Sequence, residues 1–157
     1  MSEFSHIEDD RAQMVDIGDK PAVDREATAL GTIRLSPSTA EAIAAGDIEK
    51  GAVLSVARVA GIQAAKRTAE TVPMCHQVPI SGVTVDFGLN EAAITAKATV
   101  STTARTGVEM EAINAVTGAL ICIWDMVKSA EKDDDGQYPT MAIDDIHVVE
   151  KRKGESA

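Results

Sequence analysis

The segment GALICIWDMVKSA, residues 118–130, places two charged side chains in an otherwise apolar run. Asp125 is the one charged residue among positions 118–127, and Lys128 follows one helical turn later. Residues three apart lie on the same face of a helix, so this carboxylate and this ammonium can pair. The pattern indicates either an acid/base pair or a structural ion pair, and the sequence leaves both interpretations open.

Burial is the expected environment of these two residues, because an apolar run of this kind is usually packed in the interior. An unpaired charge is costly there, whereas each member of a pair makes the other tolerable. Burial would raise the pKa of Asp125 and lower that of Lys128, and their attraction would oppose both shifts. We therefore expect Asp125 and Lys128 to form a pair in a site that excludes water.

Two acidic residues open the same predicted helix. Glu109 completes a capping-box pattern that begins at Thr106, so capping and the helix dipole can explain it without a catalytic role. Glu111 precedes Asp125 by fourteen residues, which places the two on nearly the same face but about 21 Å apart along the axis. A reaction centre that uses both ends of this helix must combine two chains or bind a long substrate.

The loop PMCHQVP contains an adjacent cysteine and histidine, Cys75 and His76. This is weak evidence for a nucleophile and its base, because catalytic partners usually meet in space rather than in sequence. The three histidines, His6, His76 and His147, also lack the spacing of zinc ligands. We therefore predict no metal site, and we interpret His76 as a polar loop residue beside a pocket.

Lys50 stands directly before Gly51, where a helix is predicted to begin. Most lysines are solvated surface residues, but the helix dipole disfavours a cation at a helix N-terminus. Backbone N–H groups and an ammonium at one point would bind a phosphate well. The sequence has neither a Walker motif nor a G-x-G-x-x-G motif, so nucleotide binding of those two kinds is not supported.

Hydrophobic periodicity predicts the elements that carry these residues. Alternating apolar residues predict strands at 27–35, 83–89, 94–100 and 141–149, of which the middle two form a hairpin. Three- and four-residue spacing predicts helices at 36–46, with Ser36 as N-cap and Gly46 as its end, at 50–71 and at 106–130. This order predicts an α+β fold, a ferredoxin-like, mostly antiparallel sheet with helices packed on one face.

The size of the chain indicates one domain. A chain of 157 residues can bury a single core, and we predict an N-terminal arm at 1–13, one domain at 14–151 and a basic tail at 152–157. Hydrophobic residues make up 45% of the chain and aromatic residues 3%. Small aliphatic side chains must therefore fill the core, which lets helices and strands approach closely.

Charge and targeting signals limit the partners and the location. The net charge of −10 disfavours nucleic acid as a partner. The N-terminus is acidic and lacks the apolar segment of a signal peptide, and the longest apolar run is too short and interrupted to span a bilayer. Two separated cysteines indicate no disulfide framework. We predict no membrane partner and a cytoplasmic location.

Four segments resemble the signature blocks of a known family. They are KGAVLSVARVAGIQAAKRT, PMCHQVP, TGVEMEA and the segment around IWDMVKSAEKD. On these blocks the sequence is similar to the molybdenum cofactor biosynthesis protein C family, the cyclic pyranopterin monophosphate synthases. The likeness runs from about Met14 to Lys151 and so covers nearly the whole chain.

The resemblance implies a ferredoxin-like subunit assembled as a homohexamer, a trimer of dimers with active sites at subunit interfaces. It implies a small nucleotide-derived substrate, 3′,8-cyclo-7,8-dihydro-GTP, which is converted to cyclic pyranopterin monophosphate and diphosphate in molybdenum cofactor biosynthesis. Such an enzyme is a lyase. No cofactor is implied, and whether magnesium accompanies the triphosphate stays open.

The resemblance also implies roles for individual residues. Asp125 and Lys128 would be the central catalytic pair, with Lys128 moving protons while Asp125 holds or assists it. Lys151 would meet the triphosphate. The implied substrate-binding residues are Lys50, Met74, Cys75, His76, Glu109, Met110, Glu111 and Lys151.

Two departures from the family pattern bear on these roles. Gln77 follows the Cys-His pair where the family usually has proline, so the loop is expected to be less rigid. The tail EKRKGESA lacks the usual Gly-Gly-Lys-Ser pattern. Arg152 or Lys153 is therefore an alternative to Lys151 as a phosphate ligand.

Two other functions would use the same residues. A non-catalytic, oligomeric ligand-binding module of this fold would need Asp125 and Lys128 for stability alone. A zinc-dependent enzyme similar to GTP cyclohydrolases would use Cys75 and His76, hold stoichiometric zinc and lose activity with a chelator.

Overall fold

The computed structural model describes residues 11–155 and the backbone of residues 7 and 8. Its elements are, in chain order, β1 (Ile7–Glu8), β2 (Arg11–Ala12), β3 (Val23–Arg34), α1 (Pro37–Ala45), α2 (Val53–Lys66), α3 (Thr68–Thr71), β4 (Ile80–Leu89), β5 (Ala93–Ala104), α4 (Glu109–Glu131) and β6 (Ala142–Lys153). β1 and β2 pair as a small antiparallel ribbon. The predicted arm at 1–13 lies mostly outside the described residues.

The four long strands form one antiparallel sheet in the order β4-β5-β3-β6. α2 and α4 pack against each other and against this sheet, and α1 packs against α4. The helices lie on one face of the sheet. Two split βαβ units interleaved in this way are the ferredoxin-like arrangement, so the predicted fold class is confirmed.

The alternation that predicted β3 also separates the two faces of the sheet. Ala27 and Ile33 are buried, and they share a face with Gly31, which approaches α4. A Cβ at Gly31 would stand 2.6 Å from Cγ1 of Val116. Small residues therefore let sheet and helix approach closely, as the low aromatic content predicted.

α2 and α4 cross through a pair of glycines. A Cβ at Gly61 would stand 2.9 Å from the carbonyl oxygen of Ala115, and one at Gly118 would stand 2.6 Å from the Cβ of Ala64. Neither position has room for a side chain. This crossing fixes α4, whose two ends carry the candidate site residues.

We expect a Gly118→Val substitution to lower the free energy of unfolding by about 1–3 kcal/mol, because the added methyl groups must push α2 away from α4. Urea unfolding followed by circular dichroism measures the change. Gly88→Val is the matched control, because a Cβ at Gly88 meets no atom within 4 Å. An equal loss in both variants would contradict this account of the crossing.

The start of α4 differs from the prediction. The helix begins at Glu109, its N-cap is Val108, and no side chain makes a cap hydrogen bond. Thr106 lies too far upstream to cap it, and the carboxylate of Glu109 accepts a hydrogen bond from Lys151 at 2.8 Å instead. The predicted capping box is therefore wrong. The caps predicted for α1 are confirmed: Ser36 is its N-cap and Gly46 is its left-handed C-cap.

The boundaries of α2 and β6 also differ from the prediction. The helix predicted at 50–71 begins at Val53 and is interrupted at Arg67, where the hydroxyl of Thr68 donates to the carbonyl of Ala65 at 2.9 Å. β6 continues to Lys153 because its backbone pairs with β3 as far as Arg25. Part of the basic segment after 151 thus lies in the sheet.

α4 is long and apolar enough to cross a membrane by length and composition alone, so the expectation that its apolar run is too short and interrupted for this is wrong by that measure. The core helix of a folded domain passes the same test. Ala115, Leu120 and Ile123 are fully buried, and α4 packs against α2, β3 and β5. These contacts identify α4 as the central core helix that the sequence predicted.

Candidate functional site

Three candidate residues meet near the C-terminal end of α4, and we call them the lysine cluster: Lys50, Asp125 and Lys128. Nζ of Lys128 donates to Oδ1 of Asp125 at 2.7 Å. Nζ of Lys50 donates to the backbone carbonyl of Asp125 at 2.8 Å and lies 3.4 Å from its Oδ2. One carboxylate thus holds two ammonium groups side by side, although the two lysines are far apart in sequence.

The expected burial of Asp125 and Lys128 does not occur within a single chain. Their side chains are 59% and 42% exposed, because they project from the outer face of α4. The hydrogen bond from Lys128, followed by that from Lys50, lowers the pKa of Asp125. The hydrogen bond to Asp125 raises the pKa of Lys128. Attraction therefore exceeds desolvation for both groups, and the pair is fully ionised.

Lys50 is positioned by a turn rather than by a helix N-terminus. α2 begins three residues later, at Val53. Gly51 adopts a left-handed φ of 97°, and its N–H donates to the carbonyl of Ile48 at 2.9 Å. The turn places Lys50 beside Asp125, so a phosphate there would meet two lysines.

A second group of candidates lines a cavity of about 460 Å³ at the N-terminal end of α4, which we call the His76 pocket. The 73–79 loop contributes Met74, Cys75 and His76, and α4 contributes Glu109, Met110 and Glu111. The N-terminal segment supplies Val15, Ile17 and Lys20. Six of the predicted substrate-binding residues are therefore brought together here.

His76 is fixed by the N-terminal segment. Its Nε2 lies 2.6 Å from the backbone carbonyl of Val15. A carbonyl can only accept, so Nε2 carries the hydrogen, and Nδ1 of a neutral ring is left as an acceptor. Gln77, which was expected to make the loop less rigid, does not prevent this anchoring.

Glu111 is a buried carboxyl group in the His76 pocket, with 4% of the residue exposed. Burial raises its pKa, and the negative charge of Glu109 adds to the shift. Burial likewise raises the pKa of Cys75, with a further contribution from Glu111. Cys75 is therefore a protonated thiol at neutral pH rather than an activated nucleophile.

We expect Glu111→Gln to raise the free energy of unfolding at neutral pH. A folded-state pKa above the ordinary glutamate value of about 4.3 means that wild-type stability falls as pH rises through the raised pKa. Glutamine resembles the protonated acid and removes this loss. Urea unfolding from pH 3.5 to 8 should show a gain that vanishes at the acidic end. A gain that is equal at every pH would contradict the burial argument.

Glu109 connects the His76 pocket to two basic residues on neighbouring strands. Burial alone would raise its pKa, but the hydrogen bond from Lys151 and the charges of Lys151 and Arg25 outweigh burial and lower it. Lys151, the predicted phosphate ligand, reaches this end of α4 from β6. Nε of Arg25 is buried and, among the described residues, has no hydrogen-bond partner.

Lys20 and Arg25 are two cations near these candidates that the sequence did not single out: Lys20 lines the His76 pocket, and the charge of Arg25 acts on Glu109. Lys20 lies in the segment between the predicted arm and the first predicted strand, and Arg25 lies just before that strand, at 27–35. Extending the period-two pattern upstream through Val23 would have placed Arg25 on the buried face. No local signal identifies Lys20, because only the return of its segment to the 73–79 loop brings it into the pocket.

The two groups of residues lie at opposite ends of α4 and do not meet within one chain. Glu111 and Asp125 are separated by fourteen residues of continuous helix, which is about 21 Å. Within the described residues, no group of three or more His, Cys, Asp and Glu side chains is arranged to hold a metal ion. Cys75 and His76 therefore lack a third side-chain ligand among the residues described.

Comparison with known proteins finds one family along nearly the whole chain. The model of the MoaC family matches residues 14–154. A "Probable cyclic pyranopterin monophosphate synthase" from Methanococcoides burtonii is 56% identical over 98% of this chain and 96% of its own. A protein of the same name from Natronomonas pharaonis is 56% identical over 97% and 96%. A "Probable cyclic pyranopterin monophosphate synthase accessory protein" from Methanothermobacter thermautotrophicus is 52% identical over 98% and 96%.

Proposed function

This chain belongs to the MoaC family, and on that premise we propose that it is a cyclic pyranopterin monophosphate synthase of molybdenum cofactor biosynthesis. The proposed substrate is 3′,8-cyclo-7,8-dihydro-GTP, and the products are cyclic pyranopterin monophosphate and diphosphate, which makes the enzyme a lyase. The observation that carries the proposal is the 56% identity, along nearly the whole chain, to relatives of that name. The two polar groups at the ends of α4 supply the chemistry.

This conversion places two demands on a site. A cyclic monophosphate forms from a triphosphate when a substrate hydroxyl attacks the α-phosphorus and the bond to the bridging oxygen breaks. The electrons of that bond leave with diphosphate, so cations must stabilise the leaving group, and the hydroxyl proton needs an acceptor. The guanine-derived ring must also open and reclose, which requires proton donors and acceptors.

The lysine cluster is suited to both demands. Lys128 enters the reaction as an ammonium because Asp125 raises its pKa, so its first step is to donate a proton. The carboxylate of Asp125 stays beside it and holds its orientation. Lys50 donates to the carbonyl and to Oδ2 of Asp125 and keeps a third N–H group for a phosphate.

The His76 pocket is suited to the other part of the substrate. Glu111 has a raised pKa, which brings a carboxyl group closer to neutral pH for proton transfer. His76 offers its Nδ1. Lys20, which lines the pocket, and Lys151, which reaches it through Glu109, are cations that can receive the triphosphate.

We propose that each active site combines the lysine cluster of one subunit with the His76 pocket of another, in a homohexamer built as a trimer of dimers. The separation along α4 supports this arrangement, because one small substrate cannot bridge about 21 Å. Val56, Val59 and Ile121 are exposed apolar residues on α2 and α4, and an interface would cover them. The same contact would exclude water from Asp125 and Lys128.

The remaining assignments follow from this proposal. The enzyme needs no redox cofactor, any magnesium arrives with the triphosphate, and the protein acts in the cytoplasm on a small molecule rather than on nucleic acid or a membrane. The catalytic domain begins at about residue 14 and, because β6 belongs to its sheet, extends past the predicted boundary at 151 to Lys153. The basic residues from Lys151 to Lys153 supply phosphate ligands.

A single-turnover assay with 3′,8-cyclo-7,8-dihydro-GTP tests the function. We expect stoichiometric diphosphate and, after oxidation of the product, a fluorescent pterin. A purified, oligomeric protein that binds the substrate and releases no diphosphate would refute the synthase assignment in favour of a binding module. Loss of activity with a chelator that is restored by zinc, but not by magnesium, would favour the zinc-dependent alternative.

A further inference from the structure

Glu131, the last residue of α4, is a buried carboxyl group outside both groups of site residues. The residue is 6% exposed. Its Oε1 accepts two hydrogen bonds from Ser36, one from the backbone N–H at 2.9 Å and one from the hydroxyl at 2.8 Å. A buried carboxylate with two short, directed bonds fixes the residue that it binds.

Ser36 is the N-cap of α1, and Glu131 determines how it caps. A carboxylate can only accept, so the single hydroxyl hydrogen of Ser36 goes to Glu131. The oxygen of Ser36 then faces Thr39: it accepts from the backbone N–H of Thr39 at 3.3 Å and lies 2.9 Å from the hydroxyl oxygen of that residue. Glu131 therefore orients the first turn of α1 as well as attaching it to α4.

The segment from Ser36 to Lys50 contacts α4 at both of its own ends: Ser36 binds Glu131, and Lys50 binds Asp125. α1 spans Pro37–Ala45, and the following turn brings Lys50 to the carbonyl of Asp125 at 2.8 Å. The two attachment points on α4, Glu131 and Asp125, are six residues apart, about 9 Å along the axis. Residues 36–50 thus form a strap that α4 holds at both ends.

We propose that Glu131 is a positioning residue for Lys50, acting through Ser36 and α1. The proposal rests on the proposed function for its catalytic consequence alone, since the strap is a property of the fold. Its second attachment point is the hydrogen bond of a long, half-exposed lysine, which is readily broken. The buried attachment at Glu131 therefore acts together with the buried face of α1, which includes Ala40 and Ile43, to fix the start of α1 and the path of the backbone to Lys50.

The test compares Glu131→Ala with Glu131→Gln in the full oligomeric protein. Alanine removes the acceptor, whereas glutamine keeps an oxygen that can accept from Ser36. For Glu131→Ala we expect acylation of Lys50 by acetic anhydride, followed by mass spectrometry with Lys66 as reference, to become several-fold faster. We expect kcat/KM to fall by about 10- to 100-fold. Glu131→Gln should stay close to wild type in both, and so should the surface control Glu41→Ala.

A double-mutant cycle shows whether Glu131 acts through Lys50. In a Lys50→Ala background, Glu131→Ala should lower kcat/KM no further, whereas an independent structural role would lower it again. If Glu131→Ala does not fold, Ser36→Ala removes one of the two bonds, and a smaller increase in Lys50 acylation is expected.

Unchanged Lys50 acylation in a folded Glu131→Ala or Ser36→Ala variant would overturn the proposal, whatever the activity. Faster acylation in a protein whose wild type shows no turnover would refute the synthase assignment and support the strap. The two claims are therefore tested by separate measurements.

Discussion

A Lys128→Ala variant is expected to lose about 10²- to 10⁴-fold in single-turnover rate while keeping its fold and its oligomeric state. Lys128 is the proton carrier of the proposed mechanism, and Asp125 is its one hydrogen-bond partner in the described part of the chain. Its side chain lies outside the core of the subunit, and Lys50 still pairs with Asp125 in the alanine variant, so the carboxylate keeps a partner. Diphosphate release measures the rate, and size-exclusion chromatography confirms the assembly.

Two further variants make this result specific. Lys132→Ala removes an exposed lysine four residues further along the chain and should leave the rate nearly unchanged. Lys128→Arg keeps the charge but cannot give up a proton at neutral pH, so it should bind substrate and react as slowly as the alanine variant. A fast Lys128→Ala variant would refute the central catalytic role and make Asp125 and Lys128 a structural pair.

Activity should reappear when two inactive variants share one oligomer. Lys128→Ala damages the lysine cluster, and Glu111→Gln damages the His76 pocket at the other end of α4. If each site takes one group from each subunit, a mixed dimer contains one site without a substitution and one with both. Random assembly of equal amounts should therefore restore about a quarter of the wild-type sites.

Co-expression with two different affinity tags isolates the mixed oligomers, and diphosphate release measures their activity. Oligomers assembled from Lys128→Ala and Lys50→Ala are the matched control. Both substitutions damage the lysine cluster, so no undamaged site can form. Mixed oligomers of Lys128→Ala and Glu111→Gln that stay inactive would contradict a site built from two chains.

The fold was largely predictable because its signals are local. Alternation of apolar residues identified β3, β5 and β6, and the Ser36 and Gly46 caps identified both ends of α1. The errors occurred where a tertiary contact competed with a local preference. The carboxylate of Glu109 takes Lys151 rather than capping α4, and β6 continues into a basic segment because β3 offers it a partner.

The pairing of Asp125 with Lys128 was predictable from the sequence, but the contacts that surround the candidate residues were not. The three-residue helical spacing was enough to pair Asp125 with Lys128. The rise per residue of a helix was enough to show that Glu111 lies too far along α4 to contact them. Lys50 binds Asp125 although the two residues are 75 positions apart in the sequence. No local sequence pattern predicts such a contact. Lys20 enters the His76 pocket in the same way.

The sequence by itself determined the ferredoxin-like order of elements, the core helix and the identity of its charged residues, because periodicity and residue type are written into each short segment. Only the tertiary structure decided that Asp125 and Lys128 face outward, that Asp125 is ionised and that Glu131 holds the strap that carries Lys50. Exposure, ionisation and long-range hydrogen bonds depend on which distant segments come together, and the packing of α4 against the rest of the chain decides that.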